Sequence, residues 1–236
     1  PRISKNSIDA VSDRDFVLEF LAASAILFVH LSRLAEEMIL WSSQEFGFVE
    51  LPDRYCTGSS MMPQKKNPDV AELVRGKTGR VFGHLHALLT VMKGLPLAYN
   101  RDLQEDKIPL FDTVSTVKAS VKMMREMVRR MRVKKEQMLA AARDGFLNAT
   151  DLADYLVGRG VNFRAAHAVA GRVVGFCARR RSKIEELSLA ELQRFSPKIE
   201  KDVYCYLSPE AAVQRRRAFG GTALANVRRR LKELGV

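Results

Sequence analysis

The spacing of apolar positions predicts three long helices in the first part of the chain. The first helix carries apolar residues and one histidine at spacings of four and three: Phe16, Phe20, Ala23, Leu27, His30 and Leu34. A second apolar series runs from Val70 to Met92, and a third, from Leu110 to Met131, keeps a heptad spacing. Because no strand pattern accompanies them, we predict an all-α fold built on a bundle of long helices.

Capping residues predict where these helices begin. Ser12 with Asp15 resembles a capping box at the start of the first helix, and Asn67 with Pro68 resembles an N-cap followed by a first helical position. Pro109 is expected to open the third helix. Beyond it the pattern changes to shorter helices, with potential caps at Thr150, Asn162, Ser188 and Ser208, and Thr222 is expected to start the last helix. We therefore predict a helical-bundle domain over residues 1–136 and a small helical domain over residues 137–236.

Three glycines and three histidines lie within the predicted long helices. Gly76, Gly79 and Gly83 recur at helical spacing, which predicts the close approach of a neighbouring helix. His30 falls on the apolar stripe and is interpreted as a core histidine. The other two, at positions 84 and 86, lie about 200° apart around a helix, which argues against a shared metal ion. The sequence predicts no metal site.

The composition is that of an ordinary soluble globular protein. Of 236 residues, 47% are apolar and 28% are charged, so the chain can bury a sizeable core. Three scattered cysteines are too few for a disulfide framework, which favours a cytoplasmic location. The first residues lack the apolar core of a signal peptide. The apolar run Phe16–Leu31 contains Glu19, Ser24 and His30, so we predict a bundle helix and no membrane association.

The net charge of +12 raises the alternative of nucleic-acid binding. Much of the excess charge lies in four basic clusters, at residues 125–135, 179–181, 215–217 and 228–230. No aromatic residues alternate with these arginines, and no nucleic-acid-binding motif is present. The clusters are therefore interpreted as solvated surface near helix ends, and no nucleic-acid partner is predicted.

The stretch Thr57–Asp69 carries the strongest candidate chemistry. It places two serine hydroxyls after Gly58, a glycine that permits a positive φ angle, then two lysines and an asparagine before a predicted helix start. A helix N-terminus with added positive charge favours an anion, which suggests a carboxylate-bearing substrate. The alternative is an ordinary flexible turn with solvated lysines.

The residues 58–68 read G-S-S-x-M-P-x-K-x-N-P and resemble the signature of the fumarate lyase (aspartase/fumarase) superfamily. Within it, the chain resembles the argininosuccinate lyase family at three further stretches: Asn6–Asp15, Lys93–Lys107 and Ala149–Asp154. The resemblance covers only the C-terminal half of such an enzyme. It implies a central helix bundle, a homotetramer with a twenty-helix core and sites shared between subunits, and no cofactor.

The resemblance also implies a reaction and a role for each matching residue. Argininosuccinate would be cleaved to arginine and fumarate by removal of a proton next to a carboxylate and expulsion of a nitrogen. Ser59 would be the general base, with Lys65 and Asn67 stabilising the carboxylate. Glu72 would orient a catalytic histidine of another subunit, or merely stabilise its helix terminus. The residues implied to hold the substrate are Tyr99, Gln104 and Lys107. Arg14 is a weaker candidate because it lies beside Asp13 and Asp15 and is expected to pair with them.

One element of the family is not found in this sequence. The acid-side histidine of the family lies in a Thr-His segment, and none of the histidines here, at positions 30, 84, 86 and 167, has that context. We therefore expect this chain alone to be inactive. Two alternatives stay open: a non-catalytic structural member, as among the family's lens proteins, and another superfamily lyase acting on adenylosuccinate or aspartate.

Overall fold

The computed structural model describes residues 3–58, 60–62 and 65–236, which form two compact units, Pro1–Lys135 and Glu136–Val236. The first unit contains α1 (Ser7–Ser12), α2 (Asp15–Ser42), α3 (Asp69–Met92) and α4 (Lys107–Arg130), with 3₁₀ turns at Asp53–Tyr55 and Arg101–Asp106. Two antiparallel ladders join β1 (Val49–Glu50) to β4 (Arg132–Val133) and β2 (Thr57–Gly58) to β3 (Lys66–Asn67). The predicted all-α fold is confirmed.

The three long helices run antiparallel to their sequence neighbours. The first half of α2 packs on the second half of α3 through Val17, Leu21 and Leu88. The second half of α2 packs on the first half of α3 and the last turns of α4 through a second cluster: Ala35, Met38, Ala71, Val74, Met124 and Met127. The bundle therefore has two ends, here called the Lys65 end, at the start of α3, and the Lys107 end, at the start of α4.

The buried side of α2 differs from the predicted stripe. Its core residues include Val17, Leu21, Phe28 and Met38, whereas Phe16 is 70% exposed. His30 is also exposed, so its interpretation as a core histidine is wrong for this unit. Because α2 is apolar on most sides, its periodicity fits more than one rotation about the helix axis. Contact with α3 selects the side that is buried.

The length and composition of α2 alone, among the helices in the described residues, would allow it to cross a membrane. A core helix of a helix bundle passes the same test, and α2 packs along α3 and contacts α4. The apolar character of α2 is thus accounted for in part by its position in the bundle.

The outer faces of α3 and α4 remain largely uncovered. A side-chain carbon added at Gly76, Gly79 or Gly83 would meet no other atom of the described residues, so the predicted close helix approach does not occur within this chain. Leu73 and Leu89 on α3 are exposed. The predicted seam of α4 is split, with Met124 buried, Val121 and Val128 exposed and the other four positions intermediate. Small polar side chains contribute much of the buried face instead: Thr113, Thr116 and Ser120. The exposed leucines of α3 and valines of α4 form an apolar surface, which is typical of a region that binds other helices.

The caps at the Lys107 end differ from the prediction. Asn6 accepts hydrogen bonds from the amides of Ile8 and Asp9, so it caps the short helix α1. The hydroxyl of Ser12 donates to the carbonyl of Ile8 within α1, so the predicted capping box of Ser12 and Asp15 is wrong. The adjacent turn brings the Ser12 hydroxyl back along its own helix, away from the amides of α2. In addition, α4 begins at Lys107, two residues before the predicted start at Pro109.

The second unit is a cluster of short helices around its own core. Its helices are α5 (Lys135–Ala142), α6 (Ala149–Gly158), α7 (Phe163–Arg180), α8 (Leu189–Phe195), α9 (Val203–Tyr206), α10 (Pro209–Arg215) and α11 (Leu224–Glu233), with a 3₁₀ turn at Ile184–Glu186. The predicted caps of α7, α8 and α10 are confirmed by hydrogen bonds to Asn162, Ser188 and Ser208. The predicted cap at Thr150 is wrong, because α6 begins at Ala149, and the last helix begins at Leu224, two residues after the predicted start at Thr222.

The stretch Ala149–Asp154 has a structural role in this unit. The buried carboxylate of Asp151 accepts hydrogen bonds from Arg215, at 2.8 Å, and Arg216, at 3.3 Å. The Arg215 guanidinium also lies over the ring of Tyr206, 3.4 Å from its centroid. These contacts join α6 to α9 and to the end of α10, so two of the basic residues counted in the clusters are paired inside the fold.

Candidate active site

A two-stranded hairpin closes the base of the signature loop. Thr57 pairs with Asn67 and Gly58 with Lys66 across the ladder of β2 and β3. The carboxylate of Asp69, the first residue of α3, accepts hydrogen bonds from the Thr57 amide, at 2.7 Å, and from the Thr57 hydroxyl. These bonds, the hydroxyl's first, lower the pKa of Asp69 below its usual value of 3.8. The loop is therefore fastened to the first residue of α3.

This hairpin corrects two predictions about the loop. Gly58 is in an extended strand and is not among the residues with positive φ. The residue before α3 is Pro68, without a side-chain cap, so Asn67 is not the N-cap. Strand pairing takes Asn67 out of the capping position because its backbone faces Thr57 across the ladder.

The predicted general base, Ser59, lies outside the described residues, as do Pro63 and Gln64 of the signature. The role of Ser59 as general base stays a prediction. Its chain neighbours are described: Gly58 is in β2 and Ser60 is exposed. The candidate site is therefore built from the residues that flank Ser59.

The two lysines of the signature differ in their surroundings. Lys66 lies 2.5 Å from a carboxylate oxygen of Asp53 and 3.7 Å from one of Glu50. The hydrogen bond with Asp53 is the main reason that the pKa of Lys66 is raised. Lys65 is exposed and forms no ion pair with any residue that the structure describes. Its ammonium group is the better candidate for binding an anion.

A cavity of about 840 Å³ lies beside the signature loop. Its lining includes Lys65 and Glu72, together with Pro68, which precedes α3. Because Glu72 is exposed in the first turn of α3, it also fits stabilisation of the helix terminus. The thiol of Cys56 borders the cavity, and burial raises its pKa, which disfavours the reactive thiolate.

The residues predicted to hold the substrate lie at the other end of the bundle. The Gln104 amide donates a hydrogen bond to the Tyr99 hydroxyl, and the Lys107 ammonium pairs with Asp106. Since α3 has 24 residues, the start of α3 lies about 36 Å from this end. Within one chain the structure brings Lys65 and Glu72 together but keeps both far from Tyr99, Gln104 and Lys107.

Sequence reasoning missed two carboxylates that organise these ends. Asp69 fastens the signature loop, and Asp106 pairs with both Lys107 and Arg14. The expectation that Arg14 pairs with the carboxylates of Asp13 and Asp15 is wrong. Its guanidinium donates to the carbonyl of Asp13, at 2.6 Å, and to the carboxylate of Asp106, at 2.5 Å. The sequence contains no local signal for a contact across 92 positions.

No group of three or more histidine, cysteine, aspartate or glutamate side chains in the described part of the chain is arranged to hold a metal ion. Of the histidines predicted not to share a metal, His84 contacts the Thr113 hydroxyl on α4 at 2.9 Å and Asp112 at 3.5 Å. This histidine therefore takes part in helix packing.

Replacing Thr57 with valine should loosen the signature loop. The variant keeps the shape of the side chain but loses the hydroxyl that bonds to Asp69, so we expect backbone amides of the hairpin to exchange about three- to tenfold faster. Hydrogen exchange followed by mass spectrometry measures this. The matched control is Thr78→Val, because the buried hydroxyl of Thr78 has no hydrogen-bond partner in the described structure. Equal exchange in both variants would contradict the conclusion that the Thr57–Asp69 hydrogen bond holds the loop.

Two family models match the chain. A model described as lyase covers residues 1–83, and one described as argininosuccinate lyase C-terminal covers residues 146–214. Among curated proteins, the argininosuccinate lyase of Geobacter sulfurreducens is 58% identical over 236 residues, which are 100% of this chain and 52% of that protein. The argininosuccinate lyase of Syntrophus aciditrophicus is 56% identical over 99% of this chain and 50% of its own length.

Solved structures agree with these matches. EDDS lyase in complex with formate superposes with a TM-score of 0.82 at 30% identity, over 98% of this chain and 48% of that one. A class II fumarase from Schistosoma mansoni, at 16% identity and a TM-score of 0.70, shares the fold.

Fold, signature and sequence matches define the class together. The chain belongs to the fumarate lyase superfamily, as the motif at residues 58–68 indicates. Within it, the chain is similar to the C-terminal half of argininosuccinate lyases and spans about half the length of the curated relatives it matches.

Proposed function

We propose that this chain provides the signature loop and substrate-holding residues of an argininosuccinate lyase. The reaction is the elimination that releases fumarate from argininosuccinate and leaves arginine, in arginine biosynthesis. The high identity to argininosuccinate lyases supports this substrate over adenylosuccinate or aspartate. We place the reaction in the cytoplasm, without a cofactor.

The proposed chemistry at the signature loop uses Ser59 as the general base. A serine hydroxyl gives up its proton at neutral pH only when positive charge stabilises the alkoxide. We propose that Lys65 and the N-terminal amides of α3, which belong to the same signature stretch, supply such charge. Asn67 would donate to the same substrate carboxylate, on which the negative charge of the carbanion develops. Glu72 would orient a histidine supplied by another subunit.

The observation that carries the proposal is the separation of the two residue groups. Lys65 and Glu72 lie at one end of α3, whereas Tyr99, Gln104 and Lys107 lie at the other, about 36 Å away. Argininosuccinate is a small molecule, much shorter than this separation. It therefore contacts both groups only if different copies of the chain provide them. We propose a homotetramer in which helix bundles join and each site takes the two groups from different subunits.

The exposed apolar faces support this assembly. Leu73, Phe82 and Leu89 project from α3, while Gly76 and Gly83 leave open space beside its backbone. Glycines with apolar neighbours let a second helix approach closely, so the helices of other subunits fit this face.

Fumarate release tests the proposal directly. The chain is assayed alone and after assembly with the N-terminal half of the Geobacter sulfurreducens enzyme, with argininosuccinate, adenylosuccinate and aspartate as substrates. We expect no fumarate from the chain alone, and fumarate only from argininosuccinate in the assembly. A well-formed tetrameric assembly without activity would favour the structural alternative. Activity on another substrate would overturn the specificity.

A further inference from the structure

A buried carboxylate at the Lys107 end binds two cations. The side chain of Asp106 is 4% exposed. One of its oxygens accepts a hydrogen bond from the Arg14 Nε at 2.5 Å, and the other accepts one from the Lys107 ammonium. Each oxygen thus has its own cationic partner, as a buried carboxylate requires.

Arg14 anchors this pair to a second part of the chain. Its guanidinium also donates to the backbone carbonyls of Asp13, at 2.6 Å, and Val11, at 3.3 Å. The Val11 carbonyl lies in the last turn of α1 and the Asp13 carbonyl directly follows that helix, so Asp106 connects the end of α1, through Arg14, to the first residue of α4. Two of the stretches that resemble the argininosuccinate lyase family, Asn6–Asp15 and Lys93–Lys107, therefore meet at one carboxylate.

Asp106 stays ionised although it is buried. Burial opposes its charge, but the hydrogen bonds from Lys107 and Arg14 outweigh that effect, and the pKa of Asp106 is lowered from 3.8. At neutral pH the group is a fixed negative charge with one oxygen directed at the Lys107 ammonium.

We propose that Asp106 is a positioning residue that holds the Lys107 ammonium in place for a substrate carboxylate. This role rests on the proposed function. The side chain of Lys107 is 47% exposed, and an ammonium has three N–H donors. One donor is bound to Asp106, and the described residues provide no further ion pair for Lys107, so the other donors can bind an anion that approaches from solvent. Without Asp106, the ammonium would swing on a flexible four-carbon stem, and binding would have to order it.

The same geometry suits a merely structural ion pair, so the variants must separate the two roles. Asp106→Asn keeps the size of the side chain but removes its charge. Arg14→Gln removes the anchor and leaves the carboxylate beside Lys107. The matched control is Asp102→Asn, because Asp102 is an exposed carboxylate of the same 3₁₀ turn with no ion pair in the described structure.

The first measurement uses the chain itself and needs no activity. Competitive acetylation with peptide mass spectrometry compares Lys107 with the exposed Lys118 of α4. Asp106→Asn removes the charge that strengthens the hydrogen bond to Lys107, so it should raise the relative acetylation of Lys107 about threefold or more, and Asp102→Asn should leave it unchanged. Unchanged acetylation of Lys107 in Asp106→Asn would overturn the proposal that Asp106 holds the Lys107 ammonium in place.

The second measurement uses the assembly with the N-terminal half of the Geobacter sulfurreducens enzyme. We expect Asp106→Asn to raise the KM for argininosuccinate about tenfold or more while kcat changes less, and Asp102→Asn to change neither. Arg14→Gln should lower the unfolding temperature and should raise KM less than Asp106→Asn does. If Asp106→Asn lowers the unfolding temperature but leaves KM unchanged, Asp106 forms a structural ion pair only, and the positioning role is overturned. An inactive unsubstituted assembly would instead overturn the proposed function itself.

Discussion

Mixing chains that carry Ser59→Ala with chains that carry Lys107→Met should restore activity that neither variant has alone. Each variant by itself is expected to lose about 10³-fold or more in kcat/KM, because one lacks the general base and the other a substrate cation at every site. If one subunit provides the signature loop and another provides Lys107, random mixing leaves about one site in four with both groups intact. Activity near a quarter of the unsubstituted level is therefore expected.

This experiment requires co-expression of two differently tagged chains with the N-terminal half of the Geobacter sulfurreducens enzyme. The mixed assemblies are isolated by tandem affinity purification and assayed for fumarate. The matched control mixes Ser59→Ala with Lys65→Ala, two changes in the same signature stretch of the sequence. Every signature loop in that mixture carries one of the two defects, so activity should stay low. Restoration in the control, or none in the first mixture, would contradict shared sites.

Replacing Lys65 with alanine should lower kcat/KM about 10²- to 10³-fold, whereas Lys66→Ala should lower it less than about threefold. The two lysines are adjacent and carry the same charge, but Lys66 is paired with Asp53 and Glu50. The ammonium of Lys65 has no such ion pair among the described residues and borders the cavity beside the loop. Lys66 also lines this cavity, but its ammonium already pairs with two carboxylates, so we expect Lys65 to be the lysine that stabilises charge on the proposed base or on a substrate carboxylate.

Steady-state kinetics of the assembled enzyme measures both variants, and circular dichroism verifies that each keeps its helices. Loss of the ion pairs of Lys66 should instead appear as a lower unfolding temperature with nearly normal kinetics. Equal kinetic losses in the two variants would show that general positive charge in the loop, rather than the position of Lys65, governs activity.

Local pattern was enough to predict much of this protein. Helix periodicity located the three long helices, since it reflects hydrogen bonds between residues four apart. The caps at Asn162, Ser188 and Ser208 were predictable because a cap and the amide it binds lie within a few residues of each other. The signature at residues 58–68, read as a sequence, was enough to indicate the superfamily.

Tertiary structure decided the features that depend on distant residues. The exposure of His30, the pairing of Lys66 with Asp53 and the link from Arg14 to Asp106 each depend on how separate elements pack. The same holds for the separation of Lys65 from Lys107 along the bundle, which follows from the antiparallel course of the helices. Periodicity describes one helix at a time and contains no information about which face a neighbour covers or which carboxylate reaches which cation. That information appears only when the chain has folded, because packing and charge pairing join residues that are far apart in sequence.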